Sequence, residues 1–123
     1  MKISSKRHYA VISLCVAVKA CIANGADVNA KDKDGSTALI WASAIGNKEV
    51  VQLLLAKRAD VNAKDNQGFT ALMQASAAGY RKVVKLLLAN GANVNAKDKD
   101  GWTVLMFASR KEVKELLIRA GAK

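Results

Sequence analysis

The residues with the best claim to chemistry are few. Asp32 and Asp34 stand ahead of Gly35, and Asp98 and Asp100 ahead of Gly101, the opening of a calcium-loop pattern. The pattern goes no further, because the first ligand position would be Ala30 or Ala96 and the bidentate glutamate's place is taken by Trp41 or Phe107. These aspartates therefore read as exposed turn residues whose carboxylates accept hydrogen bonds from their own backbone. His8 is the single histidine, and Cys15 and Cys21, six residues apart, fall on different faces of any one helix, too far apart for a disulfide. They read as buried thiols in a reducing cytoplasm. Without a C-x-x-C pair, a Gly-rich phosphate loop or a nucleophile elbow, the chain is expected to hold no metal or cofactor and to catalyse nothing. What remains is the chemistry of contact. Trp41, Phe69, Trp102 and Phe107 are four of the six aromatic residues, and large apolar groups of this kind anchor protein interfaces.

A repeat positions them. A shift of 33 residues brings Gly35 over Gly68 and Gly101, Thr37 over Thr70 and Thr103, and Leu39 over Leu72 and Leu105. Ala42, Ala75 and Ala108 coincide as well, and so do Asn29, Asn62 and Asn95. Each copy reads close to D-x-x-G-x-T-A-L-x-x-A-S, then V-x-x-L-L, then G-A-x-V-N-A-K. A period of this length marks a stack of small units. The pattern resembles the ankyrin repeat over roughly residues 16 to 123. The resemblance implies an all-α solenoid of stacked helix-turn-helix units joined by hairpin-like loops.

Local physics leads to the same elements. Val50, Leu53 and Leu54, repeated as Val83, Leu86 and Leu87, have the i, i+3, i+4 spacing of an apolar helix face. Thr37, Thr70 and Thr103 stand where a hydroxyl can cap a first helix, and Gly25, Gly91 and Gly121 follow the second helices, where a left-handed residue ends them. Neither helix is long enough to be stable alone, so units must cover one another and the core is a strip. The chain, 51% apolar, divides as a single domain into a degenerate N-terminal repeat (1–31), full repeats (32–64 and 65–97) and a shortened capping repeat (98–123).

Departures from the family pattern are specific. Where ankyrin repeats usually carry Thr-Pro-Leu-His, this chain has Thr37-Ala38-Leu39-Ile40, Thr70-Ala71-Leu72-Met73 and Thr103-Val104-Leu105-Met106, which places apolar Ile or Met at the inter-repeat contact. Arg58 fills the slot of Gly25 and Gly91, and a left-handed arginine there carries about 1 kcal/mol of strain. The last repeat is three residues short between its helices, and Lys111, Glu112, Lys114, Glu115, Arg119 and Lys123 supply the polar covering of a terminal face.

The N-terminal stretch has two readings. Ser4 falls under Thr37, and Ile22 and Gly25 are in register with Leu88 and Gly91, as a degenerate repeat requires. Alternatively, Lys2, Lys6 and Arg7 ahead of an apolar run to Val18 and a small residue at Ala20 compose an export signal over residues 1–20. The first places the protein in the cytoplasm; the second exports it. No run approaches the roughly 18 to 20 apolar residues that span a bilayer.

The resemblance implies a binding surface made of the loop tips, the outer side of the first helices and the inter-helix turns. Carried over, the tips are Lys33, Asp34 and Ser36, then Asn66, Gln67 and Phe69, then Lys99, Asp100 and Trp102. The helix column is Trp41, Gln74 and Phe107, and the turns give Ala44, Ile45, Ala77 and Ala78. Phe69 and Trp102, beside turn glycines, read as the foremost anchors, with Trp41 and Phe107 divided between anchoring and packing over the seam. The formal charge of +10 comes from the N-terminus and the second helices, through Lys48, Lys57, Arg58, Arg81, Lys82 and Lys85. That field favours an acidic partner. The leading expectation is a monomeric adaptor or inhibitor binding another protein. A binder of nucleic acid or anionic surfaces through the basic strip, and a scaffold with no ligand, are the alternatives.

Overall fold

The computed structural model describes residues 27–123, which form six helices. They are α1 (Ala38–Ile45), α2 (Lys48–Ala56), α3 (Ala71–Ala78), α4 (Arg81–Ala89), α5 (Val104–Phe107) and α6 (Lys111–Arg119). No strand forms among the described residues, and the loops supply only an isolated antiparallel bridge between Lys97 and Thr103. The two readings of the N-terminal stretch, and those of His8, Cys15, Cys21 and Gly25, lie outside the described residues.

The caps are where residue chemistry puts them. Thr37, Thr70 and Thr103 accept hydrogen bonds through Oγ1 from the amides of Ile40, Met73 and Met106, at 3.3, 3.2 and 3.4 Å. The second helices end at left-handed residues, Gly91 (φ 88°) and Gly121 (φ 102°), with Arg58 (φ 66°) taking the same conformation after α2. Arg58 is the sole non-glycine residue with positive φ among the described residues, so the anticipated strain is present.

Successive first helices pack in the order α1, α3, α5, and successive second helices in the order α2, α4, α6. Between them runs one apolar strip that includes Leu39, Val51, Leu54, Leu72, Met73, Val84, Leu87, Val104 and Leu117, all fully buried. Helix α5, four residues long, has no stability of its own and is held by this packing. The loops are laced together by side chains one repeat apart. Lys31 Nζ donates to the Lys64 carbonyl and Lys64 Nζ to the Lys97 carbonyl, each at 3.0 Å. Asn29 and Asn62 accept through Oδ1 from the amides of Asp60 and Asn93 at 2.6 and 2.7 Å.

One expectation fails at the end of the stack. Ile40 and Met73 are buried at the inter-repeat contact, whereas Met106 is 62% exposed because, among the described residues, no helix pair packs over that side of α5 and α6. Lys111, Glu112, Lys114, Glu115, Arg119 and Lys123 are exposed as anticipated, but they cover this face only in part, since Ile118 remains 57% exposed beside Met106. Lys114 takes the place of the buried Val51 and Val84. A charge at that position keeps part of the face polar.

Candidate protein-binding surface

Each loop tip is organised by one aspartate. Asp32 accepts from the amides of Asp34 and Ser36, Asp65 from those of Gln67 and Phe69, and Asp98 from those of Asp100 and Trp102, all at 2.9 Å. The first aspartate of each acidic pair therefore builds the turn, whereas Asp34 and Asp100, expected to accept backbone bonds as well, are exposed and contribute no side-chain bond to it. Adjacent tips are then joined through backbone, with the Asn66 amide donating to the Asp34 carbonyl and the Lys99 amide to the Gln67 carbonyl, both at 3.0 Å. The turn glycines permit this contact. At Gly68 φ is 83°, and a Cβ there would lie 2.8 Å from the Lys99 nitrogen.

Above the tips the aromatic residues divide differently from the sequence expectation. Trp41 is 44% exposed, and its Nε1–H donates to Asp32 Oδ2 at 3.0 Å. That bond, followed by the one from the Ser36 amide, holds the Asp32 carboxyl below its ordinary value. Trp102 is 52% exposed, its ring centroid 6.0 Å from that of Phe107, which in turn meets Phe69 edge to face at 5.6 Å. Phe69 and Phe107 are half-buried against the core. Of the two foremost anchors, then, only Trp102 stands open, while Trp41 is exposed and Phe107 does the seam packing. The cause is position in the stack. Ser36 is buried, its counterpart Phe69 is half-buried, and Trp102, over which no other described loop packs, is open.

The other sequence-derived positions follow. Lys33, Asn66, Gln67, Lys99 and Asp100 are exposed on the tips, whereas Gln74 and Ile45 are half-buried on the first helices. Ser36, being buried, offers a partner little surface. Phe69, Gln74 and Phe107 come together with Met73 and Ala77 around a notch of about 70 Å³. Two residues escaped the sequence reading. Tyr80 lies over Gly46 and Arg110 over Gly79, so closely that a Cβ on either glycine would clash at 2.9 and 2.6 Å. Their signal was their place ahead of the second helices, where Asn47 caps α2.

Among the described residues no cluster of His, Cys, Asp or Glu gathers that could hold a metal ion, and no helix is long and apolar enough to cross a membrane. Stacked helix pairs whose joined loop tips flank exposed indoles define the class of a helical-repeat binding scaffold. The chain belongs to the ankyrin-repeat family: the family model described as ankyrin repeats in three copies matches residues 8–98. The same architecture continues past the matched residues through α5 and α6. No curated protein matches the chain. Ankyrin repeats are generally protein–protein interaction modules, and typically non-enzymatic scaffolds.

Proposed function

We propose that the protein is a small adaptor or inhibitor that grips a folded partner protein on the surface made by its loop tips and first helices. The observation that carries this reading is the exposure of Trp41 and Trp102 on that surface, with Lys33, Asn66, Gln67, Lys99 and Asp100 on the tips beside them. Exposed indoles within a polar rim have the composition of an interface centre. Hydrogen bonds between the tips order the loops in advance, so little conformational entropy is lost on binding. The charge of +10 favours an acidic partner and speeds its approach.

Affinity capture with wild-type protein and a Trp41→Ala, Trp102→Ala double variant, quantified by mass spectrometry, tests the reading. The expected result is a protein retained by wild type and lost by the variant; identical captured sets would refute it. A second reading rests on the opposite edge, where Lys48, Tyr80, Arg81 and Lys82 line a groove of about 310 Å³ and the first turn of α4 carries no acid. An anionic surface or nucleic acid bound there would be released steeply by salt and lost with Arg81→Glu and Lys85→Glu, while Trp102→Ala would leave it in place.

A further inference from the structure

Three residues are missing between Ala108 and Val113 relative to the stretch from Ala75 to Val83. The loss shortens α5, which spans four residues where α1 and α3 span eight. The neighbouring α3 is left uncovered at its end. Ala77 and Ala78 are exposed, whereas Ala44 and Ile45, their counterparts in α1, are half-buried in a seam with a full-length helix. Past α5 the chain crosses the end of α3, where Ser109 Oγ donates to the Ala77 carbonyl at 2.9 Å. The crossing lays the Arg110 side chain on Gly79, two residues beyond Ala77, which lines the notch with Phe69 and Phe107.

The dimensions of the notch select what enters it. Its volume of about 70 Å³ is roughly two waters' share of the liquid and about half of the ~150 Å³ that accommodates benzene. Its apolar walls of Phe69, Met73, Ala77 and Phe107 suit the branched end of an aliphatic side chain. The side-chain amide of Gln74, which lines the notch, makes no hydrogen bond among the described residues and is free to pair with a backbone passing over it. Arg110 has no carboxylate partner among them either, and a guanidinium in that state pairs best with an acid.

Building on the proposed function, we propose that the notch receives a leucine, isoleucine or valine side chain from an extended acidic segment of the partner protein. A carboxylate one to three residues along that segment pairs with Arg110. The interaction exists because α5 is short, so it is a property of the last seam and not of the repeat in general.

Selection of random dodecapeptides displayed on phage against the full chain tests this. Ala77→Leu fills the notch from its floor, and Arg110→Met removes the charge while keeping the stem that covers Gly79; thermal melts establish that both variants fold. Wild type should enrich a branched aliphatic residue with Asp or Glu one to three positions away. A synthetic peptide of that consensus should bind Ala77→Leu about tenfold or more weakly. On Arg110→Met the acid should drop out of the consensus while the aliphatic residue stays. A wild-type selection with no such consensus, or unchanged peptide affinity for Ala77→Leu, would overturn the notch. If Ala77→Leu captures the partner as well as wild type does while the double tryptophan variant does not, only the notch fails; if neither change affects capture, the proposed function fails with it.

Discussion

The α3–α4 pair and the α5–α6 pair are built on the same repeat pattern and present different surfaces. Met73 is sealed in the core and Met106 lies open; Val84 is buried and its counterpart Lys114 is solvated; Phe69 is half-covered and Trp102 exposed. In each case the residue one period earlier is covered by the following helices or loop, and no other described helix pair covers α5 and α6 on that side. Residue type sets what a position can do, and its place in the stack sets what it does. The notch and the open Trp102 arise at α5 for this reason: shortening α5 opens α3, and no other described loop packs over Trp102.

The largest test of this contrast is in the core. Leu87→Ala and Met73→Ala should each cost about 2–5 kcal/mol in urea unfolding, whereas Met106→Ala should change stability by no more than about 0.5 kcal/mol. Equal losses at Met73 and Met106 would mean that the two positions are equally buried. The loop tips provide the next. Gly68 and Gly101 have nearly the same φ, 83° and 84°, but a Cβ on Gly101 would meet nothing within 4 Å. Gly101→Ala should therefore cost only the left-handed penalty of roughly 1–2 kcal/mol, and Gly68→Ala more, the difference measuring tip stacking.

Smaller effects sharpen the picture. Ser43 Oγ and Ser76 Oγ are buried without a hydrogen-bond partner, while Ser109 Oγ has one. Ser76→Ala should stabilise by about 1 kcal/mol and Ser109→Ala should destabilise by a similar amount. Arg58→Gly should raise the melting temperature by relieving about 1 kcal/mol of backbone strain. The smallest expected effect is electrostatic. Because the folded-state pKa of Asp32 is lowered, its contribution to stability is complete above the unfolded carboxylate's pKa and is lost as pH falls through the depressed value. Trp41 fluorescence should titrate in that acidic window, and Asp32→Asn should remove the transition.

What could be read from the sequence is what acts over a few residues. Threonine caps, aspartate turns and the left-handed Arg58 each depend on a side chain and its own neighbouring backbone, so their chemistry is visible in one dimension. The opening of Trp41 could not be read in that way, because it depends on a bond to Asp32, nine residues back, formed only once α1 and its loop are in place. The half-burial of Phe69 depends on Phe107, which approaches from the following helix pair. Nor could the shortened repeat show which helix would lose its last turn. That was settled when the chain crossed α3 at Ser109.

Amide hydrogen exchange on the free protein and on its complex with the captured partner distinguishes loop tips ordered in advance from tips ordered by binding. The Asn66 and Lys99 amides should be protected already in the free protein, with new protection on binding confined to the tips and first helices around Trp41 and Trp102. Tips that exchange freely until the partner orders them, or partner-induced protection centred on α2 and α4, would contradict a preformed surface of loop tips and exposed indoles.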